Sequence, residues 1–395
     1  MNATIKPKKV VAPIGNYITL CKETNKNLVT TKLVGVTVKK EIIPSLSFNQ
    51  NTNLSNFQVV RNGDFITSLL QVGRDGKLPV GLYIDSSPAL VSPYYRVFKV
   101  NNSGLNSEFL MIYFKNSRID KQAVFLAGGG VRDSLSWKKF LKIPISVPEL
   151  VIQEKRVYKY QAVEKLINVK KKINELLEKW MENYYYIFFS NSFKKDYVIK
   201  SVKELFSISG GSKPPKYSQE LEKKYFCKEG GTPWIKVKDV TESGFKFVSN
   251  SEEQLTIAGA EKCKAKIISS YSLLMVAMGV GKKSIAKLGI NLIDLYISSH
   301  FWHLDYKEGK YLYYSYFLVK DIWNKWSWKS VNNSTATIGL NLRKFKSLQV
   351  KIPKKIELIS RFNQICKPIF ELQKSNELII NKLLKMQKGW IETLD

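Results

Sequence analysis

Between Phe362 and Trp390 the apolar side chains recur at alternating steps of three and four: Phe362, Ile365, Ile369, Leu372, Ile379, Leu383, Met386 and Trp390, with Asn376 the one polar residue in the series. That spacing predicts a long helix carrying an a/d seam over about four heptads. About 206 residues earlier Val163, Leu166, Ile173, Leu177, Trp180 and Tyr184 occupy the same slots, and Lys170 stands where Asn376 does. One apolar stripe is ordinarily the core face of a helix. Two matched stripes, each with a polar residue at the same inner position, favour a paired coil in which that residue sets the register. About 35 residues make a rod of roughly 50 Å. Proline-bearing lead-ins precede both stripes, Ile143-Pro144-Ile145-Ser146-Val147-Pro148 and Val350-Lys351-Ile352-Pro353, and the prolines are expected in the first helical turn, where a missing N–H is harmless. Pro368, inside the second stripe, is expected to kink or restart the helix.

The remainder reads as two blocks. Up to residue 147, short β-rich runs such as Phe65–Leu69, Val80–Ile84 and Tyr94–Val100 are separated by the turn signals Asn62-Gly63-Asp64 and Asp75-Gly76, and residues 107–116 suit a short helix. Residues 148–184 form the first long helix and 185–201 an aromatic, basic connector. Residues 202–352 make a second block with strand-like runs at Trp234–Lys238 and Ile267–Met278, and residues 353–395 the second long helix. The expected fold class is α/β: two mixed α/β blocks separated and joined by two long helices, a pseudo-twofold internal repeat without βαβ rhythm.

With 395 residues and 44% apolar content, two or three ordinary cores can be buried. The net charge of +30 points to a polyanion, most simply nucleic acid. Of the 63 basic residues 55 are lysine, so part of this charge is compositional bias. Cys21, Cys227, Cys263 and Cys366 lack CxxC spacing, which fits a reducing compartment. No run reaches the length of a membrane span and the N-terminus has no signal-peptide core, so a cytoplasmic location is expected.

Candidate chemistry is sparse. Gly279-Val280-Gly281-Lys282-Lys283-Ser284 lacks the first glycine and the Ser/Thr of a P-loop. Gly128-Gly129-Gly130 has no dinucleotide spacing, and Lys213-Pro214-Pro215-Lys216-Tyr217 replaces the asparagine of an amino-methyltransferase motif with lysine. His300 and His303 form an HxxH without nearby cysteines, better suited to a structural role than to a metal. Glu222-Lys223-Lys224 matches a nuclease fragment but has no paired aspartate. Neither catalytic residue, metal nor cofactor is expected. Recognition remains. Arginine reads guanine edges, and five of the eight arginines, Arg61, Arg74, Arg96, Arg118 and Arg132, lie in the first block. Arg74, Lys77 and Arg132 lie near glycines in turn-like segments. In the second block DNA contacts would fall to Lys213, Lys236, Lys238, Lys282 and Lys283, and lysine mostly positions a protein on phosphate.

Gly63-Asp64-Phe65, Val91–Phe98, Gly130–Leu135 and the exit Ile143–Pro148 with Gln153, followed by Gly210–Pro214 and Pro233–Asp239, together resemble the specificity subunit of type I restriction-modification systems across nearly the whole chain. The second lead-in departs from it, lacking the glutamine before the helix. The resemblance implies two target-recognition domains, each reading one half of a split, asymmetric DNA sequence. It also implies that the two helices pair as an antiparallel coiled coil that spaces the halves and docks two modification subunits, which carry S-adenosylmethionine and methylate adenine. Restriction subunits join them, and no membrane is involved. The rival readings are a freestanding sequence-specific DNA-binding protein, repressor or architectural, and a self-sufficient nuclease.

Overall fold

The computed structural model describes residues 9–45, 52–130, 133–192, 196–215, 218–241, 244, 246–279, 284–326, 331–333 and 338–394. The chain divides into two compact units, Met1–Asn168 with Asn381–Asp395, and Val169–Ile380.

In the first unit, four short β-rich runs build an antiparallel sheet, apolar on both faces, in the order Ile18–Leu20, Arg96–Val100, Phe65–Thr67, Val80–Leu82. Phe65 and Phe98 are register partners with rings stacked at 5.0 Å, and Phe114, Trp137 and Phe140 close over Phe98. On the other face Ile66 and Val97 bury against Val34, Val60, Ala89 and Val91. Both turn signals function as read: Gly63 and Gly76 take positive φ, +89° and +61°, where a side chain would be strained. Helices Ser107–Phe114 and Ser117–Ala127 start at Asn106 and Asn116, whose side chains accept the Phe109 and Arg118 N–H groups.

In the second unit a five-stranded sheet runs Phe206–Gly210, Phe301–Tyr306, Leu273–Val276, Leu288–Asn291, Phe247–Val248, antiparallel except for the last pair. Helix Leu312–Trp326 packs against it, burying Tyr314, Phe317 and Val319 in the main core. A smaller sheet contains Thr232–Ile235 beside Tyr296–Ile297. The Trp234–Lys238 run is therefore half strand and half helix, since Val237–Thr241 is helical.

The lead-ins correct one expectation. Pro144–Pro148 is a strand paired antiparallel with Lys9–Pro13, and Gln349–Pro353 is a strand paired with Tyr197–Ser201. Pro148 and Pro353 close strands, and the long helices Leu150–Ser192 and Ile356–Glu392 begin only afterwards. In the second lead-in the alternation of exposed Gln349 and Lys351 with buried Val350 and Ile352 is a strand signature. Proline is tolerated at the ends of such a two-strand ribbon. Two further differences follow. The first helix continues past residue 184 through the aromatic run to Ser192, and the expected connector ends in the strand Tyr197–Ser201. The second helix does not restart at Pro368 but runs through it, at the cost of one intrahelical hydrogen bond.

Gln153, in the first turn of its helix, is fully buried. Its carbonyl accepts the Asn106 N–H, and its amide donates to the Gly104 and Pro148 carbonyls, tying helix, strand and loop together. In the second helix the matching slot holds Ile359, which is 1% exposed and packs into the main core. An apolar side chain there replaces the polar tie, which accounts for the missing glutamine.

Candidate nucleic-acid interface

Arg74 and Lys77 lie on the turn formed by helix Val72–Asp75 and Gly76. Both are exposed, but Arg74 is held by Asp75 at 2.8 Å and by Gln71. Gly73 brings this turn against the neighbouring loop: its N–H donates to the Asp133 carbonyl, and a Cβ on it would sit 2.2 Å from the Gly130 carbonyl oxygen. Arg132 lies outside the described residues, as do Lys282 and Lys283.

In the second unit the Lys236 ammonium lies 5.9 Å from the Trp234 ring centroid. Lys213 is exposed, on a loop fixed by the Trp234 Nε1–H donating to the Ser212 carbonyl and by Ser212 N–H donating to the Ile297 carbonyl. Lys236 pairs with Glu253 at 2.5 Å, and Lys238 with Glu252. Among these three, Lys213 has the unpaired ammonium within the described residues, and it is the one best able to meet a phosphate without first breaking an ion pair. His303 lies mid-strand, and burial lowers its pKa, which favours the neutral imidazole. Among the described residues no three His, Cys, Asp or Glu side chains converge as a metal site would require, and no helix is long and apolar enough to cross a membrane.

The long helices meet in each unit, and their contacts run in opposite directions. In the first unit Arg156 donates to the Leu394 carbonyl and Gln387 to that of Tyr160. In the second, Lys170 donates to Asn376 Oδ1 at 3.0 Å, and Asn174 and Gln373 exchange side-chain-to-backbone hydrogen bonds. Further on, Tyr184 stacks on Phe362 at 5.7 Å. The polar residues of the two stripes, Lys170 and Asn376, are thus hydrogen-bonded to each other.

The buried seam, however, is displaced by about one residue from the apolar stripe. On the first helix Val157, Tyr160, Ile167, Met181, Tyr185 and Phe189 are buried; Val163 and Leu177 are half-buried, and Leu166, Ile173 and Trp180 are 43%, 38% and 50% exposed. On the second, Phe362, Cys366, Phe370, Gln373, Asn376, Ile380 and Gln387 are buried; Ile365, Ile369, Ile379 and Leu383 are half-buried, and Leu372 and Met386 are largely exposed. Much of the apolar stripe therefore lies along the flank of the pair, while polar residues enter the seam.

Those polar residues, missed in the sequence, surround Lys246. Its ammonium donates to Glu178 Oε2 at 2.6 Å and to Gln373 Oε1 at 2.7 Å, and sits 4.1 Å from the Phe370 ring centroid and 4.7 Å from that of Tyr316. Tyr316 and Lys320 donate to the other oxygen of Glu178 at 3.0 and 2.8 Å. Burial opposes ionisation of Glu178, but Lys246 and Lys320 outweigh it and hold the carboxyl at about 2. Glu377 instead accepts the backbone N–H groups of Lys246 and Phe247, and burial dominates, pushing it up to about 7. A raised carboxyl pKa means the folded state holds its proton more tightly. The stability Glu377 contributes is complete below about pH 4.5 and is lost as pH rises through about 7, up to about 3 kcal/mol in all. Glu377→Gln should therefore flatten the fall in melting temperature between pH 5 and 8. Parallel pH slopes for variant and wild type would contradict it.

Residues 49–179 and 194–384 match the type I restriction modification DNA specificity domain, covering most of the chain. The specificity subunit of the type I restriction enzyme MjaIX from Methanocaldococcus jannaschii is 24% identical over 203 residues, 50% of this chain and 44% of that protein. The aligned segment thus spans less than half the length of that relative. The crystal structure of the type I restriction-modification S subunit from M. genitalium shares the fold, with a TM-score of 0.54 at 12% identity over 100% of this chain and 98% of that one. The chain therefore belongs to the type I restriction-modification DNA specificity family.

Proposed function

We propose that this chain is the DNA-specificity subunit of a type I restriction-modification complex. Residues 1–147 and 202–352 each read one half of a split, asymmetric DNA sequence, and the long helices pair as an antiparallel coiled coil that spaces them in a pseudo-twofold arrangement. The observation that carries this reading is the pair of unlike blocks, each closed by a two-strand ribbon that leads into a long helix, with the helices hydrogen-bonded in opposite directions. The flanking apolar residues Leu166, Ile173, Trp180, Leu372 and Met386 suit a surface that modification subunits cover, two per chain, with restriction subunits joining in the full complex in the cytoplasm. Lys213 and the Arg74–Lys77 turn supply DNA contacts, and adenine methylation uses S-adenosylmethionine held by the modification subunits. This chain supplies the address.

The test is to co-express the chain with its modification subunits and map methylated adenines over a plasmid library. One split, asymmetric motif is expected. Exchanging residues 202–352 for the corresponding block of another specificity subunit should change one half of that motif and leave the other intact. A change in both halves contradicts modular reading, and absence of any complex favours a freestanding DNA-binding protein.

A further inference from the structure

Lys246 lies in the second block, just before the strand Phe247–Val248 at the edge of the five-stranded sheet. Both long helices hold this short segment at once. From the first helix Glu178 binds its ammonium; from the second, Gln373 binds the same ammonium and Glu377 binds the backbone N–H groups of Lys246 and Phe247. The two helices are tied to one another at the same layer by Gln373 and Asn174. Tyr316 and Lys320, from the block's own helix, complete the shell of Glu178. Apolar packing tolerates small slides, whereas charge-assisted hydrogen bonds have narrow angular and distance limits. A side chain bonded to both helices registers the block against the pair as a whole and not against one helix.

We propose that Lys246 is a positioning residue that fixes the second recognition block on the helix pair and so restricts the number of base pairs tolerated between the two DNA half-sites. It contacts no DNA in this role; it acts through the placement of the block. The inference rests on the bipartite reading proposed above.

The test compares wild type, Lys246→Met and Lys246→Arg, each co-expressed with the modification subunits, on a plasmid library in which the half-sites are separated by every spacer near the preferred length. For Lys246→Met the half-site sequences should be unchanged, while the preference for the wild-type spacer over neighbours one base pair longer or shorter should fall about tenfold, the size expected on losing one or two charge-assisted hydrogen bonds. Lys246→Arg should restore most of the preference, which a purely volumetric role would not require. Should Lys246→Met fail to assemble because Glu178 is left buried and unpaired, Lys246→Met with Glu178→Gln removes both charges and serves in its place. A spacer preference equal to wild type in a variant that assembles overturns the proposal and leaves bipartite recognition standing. Failure of both variants to assemble also overturns it, because the cluster is then only a structural support. Absence of any split motif for wild type sinks the bipartite reading itself.

Discussion

Phe362→Ala should lower the unfolding free energy by about 3–5 kcal/mol, the usual cost of emptying a large aromatic site. Phe362 is fully buried, and its ring centroid lies within 6.5 Å of those of Tyr184, Tyr185, Phe188, Phe189, Tyr314 and Phe317. Four of those rings come from the first long helix and two from helix Leu312–Trp326. One side chain therefore joins both long helices to the core of the second unit. Removing it forfeits transfer energy and leaves a cavity that six rigid rings cannot easily refill, since aromatic side chains have few rotamers with which to collapse inward. Phe362→Leu keeps part of the volume and should cost about half as much. Chemical denaturation followed by tryptophan fluorescence measures both, and a loss below about 1 kcal/mol for the alanine variant would show that the cluster relaxes far more freely than its packing implies.

The second large effect concerns the helix pair. Seven residues inserted after Ile173 alone advance everything beyond by about 10 Å. Such an insertion leaves Lys170 opposite Asn376 but carries Asn174, Glu178 and the Tyr184–Phe189 aromatics past their partners Gln373, Lys246 and Phe362. Every buried donor and acceptor in that stretch is then unpaired, and assembly with the modification subunits should be lost. A matched insertion of seven residues in the second helix after Gln373 should restore pairing. If the pair spaces the half-sites, the restored protein should prefer a DNA spacer about three base pairs longer, at ~3.4 Å of rise each. Unchanged assembly after the single insertion would falsify the paired coil, and an unchanged spacer after the matched one would separate pairing from spacing.

Both experiments depend on a seam that the apolar pattern located only approximately. The stripe Val163 to Tyr184 is the most hydrophobic line on the first helix, and hydrophobicity is what a heptad search maximises. The face that is buried includes Asn174 and Glu178, which a sequence reader assigns to water. The same four-residue spacing recurs on the second helix at Gln373 and Glu377, and this pair of repeats was the available signal. It could not be read without knowing that Lys246, over 60 residues beyond Glu178, enters the same layer. The DNA-facing candidates show a similar limit. Lys236 and Lys238 read as free positive charges, and their partners Glu253 and Glu252 are brought to them only by the fold.

Much was nevertheless settled by local chemistry. Short β-rich runs placed the strands at Phe65, Val80 and Arg96, Gly63 and Gly76 marked turns, a short helix was legible from Ser107, and the three-four repeat announced two long helices. These depend on a few neighbouring residues, so the sequence carries them directly. The proline lead-ins became strands because Pro144–Pro148 and Gln349–Pro353 each find a partner far away in the sequence, at Lys9–Pro13 and Tyr197–Ser201. Pairing across more than a hundred residues, the phase of the buried helix face and the enclosure of Lys246 by two distant carboxylates were decided by tertiary structure alone. Each is a contest between alternative partners with similar local propensities, and only the folded chain fixes which partner is near enough to win.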